Sequence, residues 1–264
     1  MTTASPAEFN GSAPAKRTRK RIEPLKAIRA IRALIADKED TGQVFKIIDA
    51  LSGNVSDRQF KRFIATGMGQ RIVAERRDII AALNDRERLS RLPEGTLGRT
   101  YYEFMAEENL TADGLVDASR EVSLRDERTE AERIFGDRLR DTHDLWHVTT
   151  GYGRDGLGEL ALLAFSYVQT RNRGIGFIVL VGWRLSTKRN PDLKLGRVIR
   201  EGFRHGKRAK WLPAADWEAL LDKPLEDVRA LLNIAPPEAY RAVEPITTER
   251  ERAFIEREAL RKAA

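Results

Sequence analysis

The chain has 264 residues, 41% hydrophobic and 33% charged, with a net charge of +7. That length admits one large domain or two small ones, and the balance is that of a globular protein rather than a disordered one. It contains no cysteine, which excludes a disulfide framework, a thiolate metal site and a cysteine nucleophile, so any metal must be held by imidazole and carboxylate.

Residues 1–23, rich in Ala, Ser, Thr, Lys and Arg, read as a disordered basic arm. Its run Lys16-Arg17-Thr18-Arg19-Lys20-Arg21 could touch anionic lipid or nucleic acid. A solvated tail explains it as well, and no base-reading motif accompanies it, so no nucleic acid is expected as a partner. No apolar core of a secretory signal follows the basic run. Pro24 suits the first turn of a helix carrying Ile28, Ile31, Leu34 and Ile35. A second apolar segment holds Val44, Phe45, Ile47, Ile48 and Leu51, until Gly53 and Asn54 break it. Ser56 with Gln59 has the pattern of a capping box opening a third helix. Arg71 to Asn84 is expected as one amphipathic helix, and Leu97 to Glu108 as another after the turn at Leu92-Pro93-Glu94-Gly95. Leu110 to Arg128 is polar and poorly periodic, and is expected to be a connection.

Thr129 to Thr150 is predicted as one long helix, and Glu159 to Thr170 as a buried one. Ile175 to Trp183, the longest apolar stretch, is about half the length needed to span a bilayer. Its β-branched residues allow a strand, but the helical surroundings favour a buried or broken helix. The basic segment Arg197 to Gly206 contains His205, expected at the surface, and the wider Arg197 to Lys210 could face anionic lipid. Two short helices, Ala214 to Leu221 and Pro224 to Leu232, follow, and Thr248 with Glu251 would open a charged C-terminal helix. Period-2 alternation is absent, so the expected fold is all-α, a single compact multi-helix domain. The expected division is 1–23 arm, 24–240 helical domain and 241–264 charged helical extension.

Two of the three histidines, His143 and His147, stand four apart beside Asp144. On a helix they share one face, and Phe135, Leu139, His143 and His147 continue a buried stripe at four-residue intervals. A buried carboxylate is costly unless paired or metal-bound. The glycine-rich run Gly151 to Gly158 reads as a loop that can return Glu159 to the same volume. An ordinary helix face or a hydrogen-bonded core pair is the competing explanation. The burial favours a divalent-metal site made of His143, Asp144, His147 and Glu159, between the long helix and the one after it. The first turn-neighbours Arg138 and Arg140 could hold a substrate carboxylate, although Asp137, Asp141, Glu130 and Glu132 are near enough in sequence to pair with them.

The motif His143-Asp144-x-x-His147, eleven residues, then Glu159 resembles the signature of the Coq-four family of ubiquinone (coenzyme Q) biosynthesis proteins. Leu92-Pro93-Glu94-Gly95-Thr96-Leu97-Gly98 with Tyr102-Glu103-Phe104-Met105, Gly158-Glu159-Leu160-Ala161-Leu162, Val168-Gln169-Thr170, Trp211-Leu212 and Leu231 to Pro236 are similar to the family too, over roughly residues 24–240. Arg171 to Ile178 diverges from it. The resemblance implies an α-helical protein that binds a divalent metal through this motif. Zinc is most often assigned, with Fe, Mn or Co as alternatives. It implies catalytic His143, Asp144, His147 and Glu159, and Trp146 and Arg140 are taken with it as substrate-binding residues. The implied reaction is oxidative decarboxylation, in which a hydroxyl replaces the ring carboxylate of a polyprenylated hydroxybenzoate. The implied alternative is a non-catalytic lipid-binding scaffold for the other ubiquinone biosynthesis proteins; a zinc hydrolase is disfavoured because Asp144 stands where HExxH has its Glu. Peripheral membrane association is implied, with a homodimer as a further candidate. The expected place is the bacterial cytoplasm on the inner membrane, or alternatively the matrix side of the mitochondrial inner membrane.

Overall fold

The computed structural model describes residues 21–37, 40–107 and 128–263. Most of the proposed arm and of the connection after Leu110 lies outside these residues. Among them every regular element is helical, apart from one isolated bridge between Thr96 and Pro224. The helices are α1 (Pro24–Ala36), α2 (Thr41–Ser52), α3 (Val55–Ile64), α4 (Gly67–Ala74), α5 (Ile79–Asn84), α6 (Arg86–Arg91), α7 (Leu97–Glu107) and α8 (Glu130–Asp141). They continue with α9 (His143–Thr150), α10 (Gly156–Thr170), α11 (Arg173–Arg189), α12 (Gly196–Arg208), α13 (Trp217–Leu220), α14 (Leu225–Leu232), α15 (Glu238–Arg241) and α16 (Glu244–Ala263). No described helix is long and apolar enough to cross a membrane.

Helix α10 is the axis of the fold. It buries Leu157, Leu160, Ala161, Leu162, Ala164 and Phe165, residues spread around its circumference. A helix apolar on all sides must be enclosed, and α9, α11, α12, α15 and α16 pack around it. The closest packing is on α12, where glycines let the two backbones approach. A Cβ on Gly202 would lie 2.5 Å from the Ala161 carbonyl oxygen, and one on Gly206 would lie 2.6 Å from that of Phe165. Such contacts force the helices apart, at a cost of about 1–3 kcal/mol. Gly202→Ala is therefore expected to lower stability by that amount in urea unfolding.

Several expected elements are drawn differently. Arg71 to Asn84 is not one helix: Arg76 takes φ 49°, which ends α4 and lets α5 start afresh with Asp78 capping the Ile80 N–H. Helix α3 begins at Val55 after Asn54, so Ser56 lies inside it and caps nothing there. The capping box occurs instead at Thr129 and Glu132, opening α8. The C-terminal helix starts at Glu244, and Thr248 donates to the Glu244 carboxylate within it. Ile175 to Trp183 is helical, but Leu180 and Trp183 are exposed on its outer side.

Candidate metal centre

The long helix predicted over 129–150 is divided at Thr142. The Thr142 N–H and hydroxyl both donate to the Arg138 carbonyl, at 3.0 and 2.9 Å. Its ψ of 2° turns the chain, and α9 starts anew at His143. Four residues later on α9 comes His147, so both imidazoles stay on one face. The helix ends at Gly151, whose φ of 74° is the left-handed conformation that glycine adopts without a Cβ penalty. A short loop leads to Asp155, whose carboxylate accepts from the Leu157 and Gly158 N–H groups and caps α10. Glu159 thus sits in the first turn of α10, where the helix dipole favours an anion.

The structure brings all four predicted donors together. One ring nitrogen or carboxylate oxygen from each of His143, Asp144 and His147 lies within 4.8 Å of the others, so the three could hold a metal ion. Glu159 reaches both rings: Oε1 is 3.5 Å from His143 Nε2, and Oε2 is 2.9 Å from His147 Nε2. Asp144 Oδ1 approaches His143 from the opposite nitrogen, 3.4 Å from Nδ1. Asp144 can therefore complete a donor set or orient the His143 ring from behind. The Phe104 ring stacks on His147 with centroids 5.7 Å apart. His147 is sealed inside, whereas the His143 and Glu159 side chains are 27% and 39% exposed, so the cluster opens to the surface on their side.

His147 carries the clearest sign of a cation. Its Nδ1 lies 2.9 Å from the Tyr152 carbonyl oxygen, which can only accept, so Nδ1 bears the hydrogen. In the neutral ring Nε2 then presents a lone pair, and this buried atom has no hydrogen-bond partner although Glu159 is beside it. A lone pair facing a carboxylate oxygen is repulsive unless a proton or metal ion lies between them. An imidazole fixed by a backbone carbonyl behind it is the usual arrangement of a metal-ligating histidine. Charge balance points the same way. Burial opposes ionisation of Glu159, yet His147 and His143 outweigh it and hold the carboxyl well below its ordinary value. Burial likewise disfavours a charged His143, but Glu159 and Asp144 raise it to about 10. Against its burial, Asp144 is lowered by His143, His147 and Arg154. Two carboxylates converging on two imidazoles suit a donor set for a divalent ion.

The other predicted residues are placed elsewhere. Arg140 is engaged by Asp137 and Asp141, at 3.0 and 2.5 Å. The Arg138 guanidinium is buried and bonded to Glu218. Trp146 is buried in the core, its ring edge-on to Phe165 with centroids 6.1 Å apart. His205 is not a surface residue: it is buried, with Nδ1 3.5 Å from the Tyr152 hydroxyl. The helical period places it there: Val198, Ile199, Gly202, His205 and Gly206 form the inner face of α12, while its arginines are exposed. Arg154, not singled out from sequence, is exposed on the loop between α9 and α10 and near enough to lower Asp144.

Residues 15–238 match the family described as "Coenzyme Q (ubiquinone) biosynthesis protein Coq4". The chain is 32% identical over 174 residues to the mitochondrial ubiquinone biosynthesis protein COQ4 homolog of Anopheles gambiae, covering 64% of this chain and 58% of that protein. It is 30% identical over 189 residues to the mitochondrial ubiquinone biosynthesis protein coq-4 of Caenorhabditis elegans, covering 70% of this chain and 77% of that one. The match thus spans little more than half the length of the mosquito relative. In fold, the chain is similar to the crystal structure of a protein from Nostoc punctiforme PCC 73102 named for ubiquinone biosynthesis. The TM-score is 0.60 at 23% identity, over 80% of this chain and 98% of that one.

Proposed function

Because the chain belongs to the Coq4 family of coenzyme Q (ubiquinone) biosynthesis proteins, we propose that it is a metal-dependent oxidative decarboxylase of a polyprenylated hydroxybenzoate. The observation that carries this reading is the convergence of Glu159 on two imidazoles, one of them with a buried, unpartnered Nε2. His143, His147 and Glu159, with Asp144, would hold a divalent ion such as zinc, iron, manganese or cobalt. Bound there, the ion would supply Lewis acidity toward the phenolate and carboxylate of the ring. The chain's own residues do the rest. His147, held by the Tyr152 carbonyl, fixes the direction of approach. Phe104, half-buried and stacked on His147, shields one face of that ring. Arg154, exposed and close enough to lower Asp144, would receive the carboxylate, since Arg140 is committed to Asp137 and Asp141.

Replacing a ring carboxylate by hydroxyl releases CO₂ and removes two electrons from the ring. Water can supply the hydroxyl and dioxygen accept the electrons, giving hydrogen peroxide as the balancing product. The electron-rich phenol lowers the barrier to this oxidation, so a metal without redox chemistry suffices. Peripheral membrane association and contact with other ubiquinone biosynthesis proteins belong to the same proposal, on the matrix side of the mitochondrial inner membrane or its bacterial counterpart.

The test uses a short-tail prenyl hydroxybenzoate labelled with ¹³C in the carboxylate, incubated in air with metal-loaded protein. Headspace ¹³CO₂ and the decarboxylated hydroquinone are expected, and Arg154→Ala should raise KM about tenfold, the loss of one charge-assisted contact of about 1.4 kcal/mol. Tight binding of the acid with no ¹³CO₂ under any metal would replace this reading by that of a non-catalytic scaffold.

A further inference from the structure

The five residues Gly151 to Asp155 join the helix of His143 and His147 to the helix of Glu159, so their shape sets the distance between the donors. One side chain from the far end of the chain grips this loop at three points. The Tyr240 hydroxyl accepts from the Gly153 N–H at 3.1 Å and donates to Asp155 Oδ2. The Tyr240 ring meets the Tyr152 ring edge-on, with centroids 5.6 Å apart. Each point leads to a donor. Asp155 Oδ1 caps α10 at Leu157 and Gly158, immediately before Glu159. The Tyr152 carbonyl holds His147 Nδ1.

Space around the hydroxyl is closed. A Cβ at Gly153 would lie 2.5 Å from Tyr240 Oη, and one at Gly158 would lie 2.3 Å from the Gly153 carbonyl oxygen. The anchor is itself anchored: the buried Glu201 carboxylate accepts from the Ala239 and Tyr240 N–H groups, at 2.7 and 3.2 Å. Arg229 fastens the other end of the loop by donating to the Val148 and Thr149 carbonyls, at 3.1 and 2.9 Å.

We propose that Tyr240 is a positioning residue of the metal centre, setting the separation of His147 and Glu159 through its hydroxyl bonds to Gly153 and Asp155. The inference rests on the metal reading above but names a residue outside the donor set, brought from a different segment of the chain. Partners behind metal ligands change affinity by about 10–100-fold when removed. Tyr240→Phe deletes the hydroxyl and keeps the ring on Tyr152, so the effect isolates the two hydrogen bonds.

The experiment compares wild type, Tyr240→Phe and Tyr167→Phe, the last deleting a hydroxyl away from the loop. Co(II) affinity is measured by chelator competition, together with the visible Co(II) spectrum. In the metal-free proteins, NMR follows the His147 Nδ1–H proton. The expected result is a 10–100-fold loss of Co(II) affinity, a changed spectrum and faster exchange of the His147 proton in Tyr240→Phe, with Tyr167→Phe unchanged. Lower thermal stability with unaltered affinity, spectrum and proton exchange would overturn the proposal, leaving Tyr240 a core residue only. If Tyr240→Phe does not fold, Glu201→Gln loosens the same anchor; an unchanged His147 proton and Co(II) spectrum there would equally overturn it. Failure of wild type to bind Co(II) would sink the metal reading, while the His147 proton still reports whether Tyr240 positions the ring.

Discussion

Glu159→Ala is expected to lower divalent-metal affinity by more than about 100-fold, beyond what loss of a supporting partner costs. Glu159 is the residue that faces Nε2 of both histidines. Without it, His143 and His147 face Asp144 alone, and one carboxylate balances a divalent cation poorly. Metal-free stability should fall far less. Glu159 and His143 favour each other's charged forms, which stabilises the fold near neutrality, but the side chain is partly exposed and its loss also removes the contact in which a buried lone pair faces a carboxylate. Metal-free Tm and Co(II) titration on the same preparation separate the two effects. A mutant that binds metal like wild type would show that Glu159 is no ligand.

Arg138→Ala should have the largest effect on stability. Arg138 holds Glu218 through its two terminal guanidinium nitrogens, each at 2.7 Å, and donates to the Ala215 carbonyl at 3.0 Å. Breaking a buried pair by removing one partner costs about 3–5 kcal/mol; with Glu218 23% exposed, the lower end is expected. The pH dependence has a defined sign. Burial raises the Glu218 carboxyl, but Arg138 outweighs it and holds the group below its ordinary 4.5. A depressed carboxyl contributes stability above the unfolded value and loses it as pH falls through the folded one. Wild type and Arg138→Ala should therefore differ most near neutrality and converge below about pH 4.5 in urea unfolding. The double variant Arg138→Met, Glu218→Leu should recover much of the loss, because an apolar pair of similar volume avoids the desolvation cost. A constant difference down to pH 3 would mean that the ion pair contributes nothing specific.

The elements that were legible in the sequence are those whose signal is local. Helical period and the lack of alternation give the all-α fold, and a four-residue spacing puts His143 and His147 on one face whether or not the helix is continuous. The glycine-rich run before Glu159 predicts a reversal, and the reversal is there, with Gly151 at φ 74°. What was not legible depends on contacts distant in sequence. Arg138 reads as a substrate clamp or as a partner of its local acids until Glu218, eighty positions on, is folded beside it. Tyr240 looks like any apolar residue near the end, since nothing local says that its hydroxyl meets Asp155. The break at Thr142 turns on a side-chain bond to the Arg138 carbonyl, which a threonine in mid-helix makes in some settings and not in others. The charge of its neighbours points His205 outward, whereas the period of Val198, Ile199 and Gly202 marks the inner face of α12 on which it lies.

The donor set itself is tested most directly by X-ray absorption at the metal edge of the Zn(II)- or Co(II)-loaded chain. The account predicts nitrogen and oxygen neighbours at about 2.0–2.2 Å, with the outer scattering of two imidazoles. The carboxylate count decides whether Asp144 binds or only orients His143, and Glu159→Ala should lose an oxygen neighbour. A shell of oxygens alone, with no imidazole scattering and no response to Glu159→Ala, would contradict the account.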